Sequence, residues 1–127
     1  MRKIFFISVL VAISVLLAAC GAAPATKASP QVNVKIETTP NQPMMGDVEM
    51  VFTITDAGGT PIEGASVDVS ADHPDMTHGG ISGLATDQGG GKYAIKANFG
   101  MGGNWKITLY IRKGELDVKQ EMPLVVQ

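Results

Sequence analysis

From residue 31 onward, apolar and polar residues alternate in short runs that are separated by Gly, Pro, Asn and Asp. A period of two places every second side chain on one face of a strand and is typical of half-buried antiparallel strands. No segment has the 3.6-residue period of an amphipathic helix. The pattern predicts seven strands, over residues 32–36, 48–54, 65–69, 81–86, 93–97, 105–111 and 116–126. It therefore favours an all-β fold, an immunoglobulin-like antiparallel β-sandwich of about seven strands.

The first 30 residues have a different character. Arg2 and Lys3 precede an apolar run over residues 4–17, which is typical of an export signal and is short for a membrane span. The sequence L-A-A-C-G at residues 17–21 resembles the lipobox of bacterial lipoproteins. That resemblance implies cleavage before Cys20, diacylation of Cys20 and anchoring in a membrane. The alternative is an ordinary signal peptide that happens to end near a cysteine.

These features divide the chain into three parts. Residues 1–19 are predicted to be a lipoprotein signal peptide and residues 20–30, which are small and Pro-containing, a lipidated flexible tether. Residues 31–127 are predicted to form the sandwich, since they suffice for one core but not for two sizeable ones. The protein is then extracytoplasmic and lipid-anchored to a bacterial membrane. Its single cysteine cannot form an internal disulfide.

Charge narrows the range of partners. The formal net charge of the full chain is −2, and removal of Arg2 and Lys3 with the signal makes it more negative. An acidic domain is poorly suited to the phosphate backbone, so nucleic acid is not expected as a partner.

Methionine and histidine are unevenly distributed among the connections. If successive strands reverse direction, the first, third and fifth loops share one end of the sandwich. Those loops, over residues 39–46, 72–80 and 100–103, contain all the loop methionines and both histidines. The second, fourth and sixth loops contain neither residue type. This asymmetry is the strongest functional signal in the sequence.

Thioether and imidazole together favour copper. Sulfur favours Cu(I), and imidazole also accepts Cu(II). The candidate ligands are His73, Met76, His78 and Met101. Zinc with oxygen from Asp72 and Asp75 is an open alternative. A metal-free reading also stays open, in which the histidines are simply exposed and Met101 plugs the end of the sandwich against Trp105.

The other methionines are interpreted as packing residues. Met50 and Met122 lie in predicted strands, and Met44 and Met45 are expected to cap the hydrophobic edge of the sandwich. Trp105 is expected to be core, because it shares the apolar phase of Ile107 and Leu109.

Four segments resemble the YtkA-like domain family, related to the FixH group: residues 64–67 (G-A-S-V), 73–78 (H-P-D-M-T-H), 91–93 (G-K-Y) and 99–105 (F-G-M-G-G-N-W). The resemblance spans most of residues 32–126. It implies an immunoglobulin-like sandwich in an exported or membrane-tethered protein associated with copper handling, efflux or cytochrome oxidase assembly. The implied partner is a copper-accepting, efflux or oxidase-assembly protein. His73 and His78 stand where Met is frequent in the family, which widens metal choice toward Cu(II).

Catalysis is not expected. No serine lies in a nucleophile-elbow context, and the two histidines share one loop without a separate nucleophile. Gly89, Gly90 and Gly91 lack the helix of a phosphate-binding loop. Two functions remain: a copper-binding lipoprotein, and a metal-free immunoglobulin-like scaffold or protein-interaction module.

Overall fold

A computed structural model describes residues 31–77 and 80–127. This part of the chain folds into strands only, and it therefore contains no helix that could cross a membrane. The predicted signal peptide, the tether and Cys20 lie outside the described residues. The strands are β1 (Val32–Thr39), β2 (Gly46–Asp56), β3 (Ser66–Asp72), β4 (Ile81–Leu84), β5 (Thr86–Gly89), β6 (Lys92–Phe99), β7 (Gly103–Lys113) and β8 (Leu116–Val126).

The strands form two antiparallel sheets of four. One sheet has the order β1-β2-β6-β5 and the other has the order β4-β3-β7-β8. β7 and β8 pair without interruption from Gly103 opposite Val126 to Lys113 opposite Leu116. The predicted all-β antiparallel sandwich is confirmed.

The core lies between the sheets and follows the period of two. In β2, Val48, Met50, Phe52 and Ile54 are fully buried, whereas the residues between them are only half-buried. Trp105 belongs to the same core, as expected from its phase with the apolar residues of β7. Met122 packs against the core from β8 while remaining partly exposed.

The prediction of a single strand over residues 81–86 is wrong in one respect. This segment forms parts of two short strands, and each of them belongs to a different sheet. β4 pairs with β3, whereas β5 pairs with β6 in the other sheet. The chain crosses at Ala85, which is buried and donates its backbone N–H to the carbonyl oxygen of Val67 at 2.9 Å. All four residues of β5 are exposed, and none of them is a large apolar residue. This strand therefore shows no alternation of apolar and polar residues that could indicate it in the sequence.

β4 and β5 run in the same direction, so the extra strand does not change which loops share an end. β1 pairs with β2 from Val32 opposite Asp56 to Thr39 opposite Glu49, which places the first loop next to the start of β2. Residues 40–45, 73–77 and 100–102, together with residue 80, therefore lie at one end of the sandwich, hereafter the site end, as predicted. Backbone hydrogen bonds tie the two sheets together there, from Met45 N to Gln127 O at 3.0 Å and from Gln127 N to Pro43 O at 2.8 Å.

Candidate metal centre

Loop 100–102 occupies the middle of the site end. On one side, Gly103 faces His73: a Cβ atom at Gly103 would lie 2.8 Å from Nε2 of that histidine. On the other side, a Cβ at Gly102 would lie 3.3 Å from the carbonyl oxygen of Val126. The absence of side chains at both positions lets the neighbouring segments approach the loop backbone closely. Gly103 also has φ +118°, where other residues would be strained.

The loop is fixed by Trp105. The indole Nε1 donates a hydrogen bond to the carbonyl oxygen of Met101 at 3.1 Å. The indole ring packs edge-on against Phe99, with ring centroids 4.9 Å apart, and against His73, at 5.1 Å. Met101 thus has a fixed backbone while its side chain is 39% exposed.

His73 is buried, with 7% of its surface exposed. Its Nδ1 accepts a hydrogen bond from the backbone N–H of Asp75 at 3.2 Å, and Oδ2 of Asp75 lies 3.8 Å from the same nitrogen. A neutral imidazole that accepts at Nδ1 carries its proton on Nε2. Metal binding through Nε2 would therefore require the proton to move to Nδ1, where the Asp75 carboxylate is close enough to orient it after a small movement.

Met76 lies in the turn that follows His73, and its backbone N–H donates to the carbonyl oxygen of His73 at 3.0 Å. Its side chain is half-buried against the core. His73, Met76 and Met101 thus lie at the same end of the molecule, and His73 lies beside the loop that carries Met101. His78 lies outside the described residues.

Met44 and Met45 do not pack as expected. Their side chains are 59% and 62% exposed, so the prediction that they cap the hydrophobic edge is wrong. The reason is local, since the apolar contact of this loop is made by Pro43, which is buried and hydrogen-bonded to Gln127.

A groove of about 560 Å³ opens beside His73 on the sheet formed by β3, β7 and β8. Its lining includes Asp72, His73 and Pro74 at the end of β3, Lys106 on β7, and Glu121 and Pro123 on β8. Lys106, Glu121 and Pro123 were not predicted from the sequence, because β3 is distant in sequence from β7 and β8 and meets them only in the folded sheet. Their only sequence signal was outward alternation along β7 and β8.

The site end is poor in positive charge. Residues 40–45, 73–80 and 100–102 contain no lysine or arginine, and Asp75 is 78% exposed in its side chain. Such a surface tolerates a bound cation. Within residues 31–77 and 80–127, no three His, Cys, Asp or Glu side chains form a group that could hold a metal ion.

Comparisons with known proteins agree with this fold. The soluble domain of PmoD from a Methylocystis species superposes with a TM-score of 0.51 at 10% sequence identity, over 79% of this chain and 94% of that domain. At this identity, the likeness concerns the fold alone. A search of curated protein sequences found no significant match.

A family model described as YtkA-like matches residues 26–110, which include β1 to β6 and most of β7. The matched region contains all four candidate ligands, which are His73, Met76, His78 and Met101. The chain therefore belongs to the YtkA-like family.

Proposed function

We propose that this protein is a membrane-anchored extracytoplasmic lipoprotein that binds copper at the site end, for metal handling or for transfer to a partner protein. The proposed ligands are His73, Met76, His78 and Met101, with Cu(I) favoured and Cu(II) as the alternative state. The observation that carries the proposal is the arrangement around Met101. Its backbone carbonyl accepts a hydrogen bond from Trp105, the residue is 39% exposed, and the nearby Gly103 has no side chain where His73 approaches.

The ligand chemistry suits an oxidising compartment. Thioethers and imidazoles bind copper without a thiolate, which oxidation would remove. Partial exposure of Met101 leaves the bound ion open to a competing ligand from another protein. The implied copper handling of YtkA-like domains supports the same reading.

We propose binding and transfer in place of catalysis. Nδ1 of His73 meets a backbone amide and a carboxylate, and not the hydroxyl or thiol that a nucleophilic mechanism requires. His73 is therefore better placed to organise its loop and to bind a metal than to activate a nucleophile.

The groove beside His73 favours a second function. Its volume of about 560 Å³ lies within the range of ligand pockets, and Lys106 and Glu121 provide charged groups at its wall. These features support the alternative of a metal-free interaction module that holds a segment of a partner protein.

Competitive Cu(I) titration separates the two functions. The full chain carrying Cys20→Ala, held in detergent so that no thiolate competes, is titrated against a chromophoric Cu(I) chelator. We expect one Cu(I) per chain, and an affinity lower by at least about tenfold when His73, Met76, His78 and Met101 are all replaced.

Met50→Leu serves as the matched control, because this methionine is buried in the core and is not a proposed ligand. Circular dichroism of every variant establishes that the fold is retained. Equal Cu(I) affinity in the quadruple variant and in the control would overturn the copper proposal and leave the interaction module.

A further inference from the structure

Three methionine side chains are exposed together at the site end. Met44, Met45 and Met101 are 59%, 62% and 39% exposed, and they account for half of the large exposed hydrophobic side chains in residues 31–77 and 80–127. An apolar side chain left in water contributes no burial energy. Core packing therefore does not explain these three residues.

The backbone brings the two methionine loops to the same place. Met45 donates its N–H to the carbonyl oxygen of Gln127 at 3.0 Å. A Cβ atom at Gly102, next to Met101, would lie 3.8 Å from that same oxygen. Loops 40–45 and 100–102 thus meet at one residue, within the reach of a flexible methionine side chain.

Hydrogen bonds hold the backbones of both loops, whereas the three methionine residues remain exposed. Trp105 holds the carbonyl oxygen of Met101, and Gln127 holds Met45 and Pro43 through two backbone hydrogen bonds. Fixed backbones reduce the ordering that a ligand must impose. The three rotatable bonds of the methionine side chain then allow the sulfur atoms to converge on one ion.

We propose that Met44 and Met45 join Met101 in an all-thioether Cu(I) site on the side of the site end away from His73. This inference rests on the proposed copper function and adds an entry and exit site to it. Met101 belongs both to this site and to the copper site proposed above with His73 and Met76. Copper moves between them by exchange of neutral ligands, without oxidation or reduction, and one Cu(I) occupies the chain at a time.

The choice of Cu(I) follows from the ligand type and the local charge. Thioether sulfur selects soft monovalent copper over zinc or other divalent ions. Residues 40–45 and 100–102 contain no charged side chain, so the two loops themselves present no lysine or arginine to the cation. If these methionines served only as an apolar contact surface for a partner protein, leucine would serve equally well. Replacement of methionine by leucine therefore distinguishes a sulfur ligand from an apolar contact.

Methyl NMR identifies the ligands directly, because Cu(I) is diamagnetic and each methionine has its own methyl signal. The Cys20→Ala full chain labelled with methyl-¹³C methionine is titrated with Cu(I) in detergent. We expect the signals of Met44, Met45 and Met101 to shift together up to one equivalent. The signal of Met50, which is buried in the core of β2 and is not a proposed ligand, serves as the internal control.

The paired substitution Met44→Leu with Met45→Leu keeps the apolar volume and removes two sulfur atoms. We expect its Cu(I) affinity to fall by about tenfold or more, with the dichroism spectrum unchanged. Shifts at Met76 and Met101 alone, with full affinity in the leucine variant, would overturn this inference and leave the proposed function intact. The absence of any methionine shift would overturn both.

Discussion

Trp105 shows how one residue serves both the core and the site. Its ring is buried among Phe99 and His73, and its Nε1 holds the carbonyl oxygen of Met101. Met101 makes the opposite contribution, since its fixed backbone presents a side chain to solvent. The two residues, four positions apart, should therefore respond differently to truncation.

Trp105→Ala should lower the free energy of unfolding by about 3–5 kcal/mol, because it empties a large aromatic position and releases the Met101 carbonyl. Met101→Ala should change it by less than about 1 kcal/mol while weakening Cu(I) binding. Urea denaturation of both variants measures the contrast. Comparable destabilisation would mean that Met101 is a packing residue.

Tyr93 is a second residue whose hydroxyl joins separate segments. The hydroxyl donates to the carbonyl oxygen of Ile62 at 2.7 Å and accepts from the backbone N–H of Ala65 at 3.0 Å. Burial raises the pKa of Tyr93 above its usual value, with a smaller contribution from the negative charges of Asp87 and Glu63, and the Ala65 hydrogen bond opposes this shift. The neutral hydroxyl is therefore the form that the fold stabilises.

A raised pKa gives stability that is complete below the unfolded-state pKa of about 10 and is lost as pH rises through the folded-state pKa. Tyr93→Phe should cost about 1–3 kcal/mol at neutral pH, from two lost hydrogen bonds, and should reduce the decline in stability at alkaline pH. Tyr110→Phe, on an exposed side chain, is the control. Urea unfolding at neutral and alkaline pH tests this, and an unchanged alkaline decline in Tyr93→Phe would contradict it.

At the residue scale, the sequence could predict which residues are core wherever alternation was strong. Trp105 and Met50 followed the period of their strands and are buried. The prediction that Met44 and Met45 pack against the sandwich was wrong, because the adjacent Pro43 is the buried residue of this loop and the two methionines are exposed. The contact of His73 with Gly103 was also beyond prediction, since it depends on the absence of a side chain in another loop.

At the scale of elements, the segment over β4 and β5 differs from the other strands. Each of these two strands has only four residues and a partner on one side. The pairing of β5 with β6 also shifts register between Asp87 and Gly89. Asp87 compensates, since its carboxylate accepts the backbone N–H groups of Gly64 and Gly89.

Amide hydrogen exchange followed by NMR should therefore be fastest, among the eight strands, in β4 and β5, and slowest in the central strands β6 and β7. Asp87→Ala should increase exchange in β5 without affecting β7. Asp47→Ala, which removes a hydrogen bond with Asn98 at the site end, is the matched control. Protection in β5 equal to that in β6 would show that this edge is not the weak element of the fold.

The sequence could predict seven of the eight strands, because each of these has a buried or half-buried face and burial enforces alternation. β5 has no buried face, so no hydrophobic pattern could indicate it. The sharing of one end by loops one, three and five was predictable even so. It depends on strand direction alone, and the crossing at Ala85 changes the sheet without reversing the chain.

At the scale of the whole molecule, the proposed anchor and the proposed copper site lie toward opposite ends of the sandwich. β1 begins with Val32 at the end opposite the candidate metal ligands and runs toward them. The two ends are separated by the length of a long strand, which for the 11 residues of β7 is about 36 Å. An anchor at Cys20 would thus join the domain at the end remote from the proposed copper site.

This separation predicts that anchoring and metal binding are independent. Cys20→Ala should release the protein from the membrane fraction, or leave it as an uncleaved precursor, because the proposed acylation site is lost. Its Cu(I) affinity in detergent should equal that of the lipidated chain, since the substitution lies before β1 and the ligands lie beyond its far end. Fractionation and mass spectrometry test the anchor, and chelator competition tests the affinity.

An intact N-terminus or an unmodified Cys20 in the wild-type chain would refute the anchor. A changed Cu(I) affinity would refute the independence of the two ends.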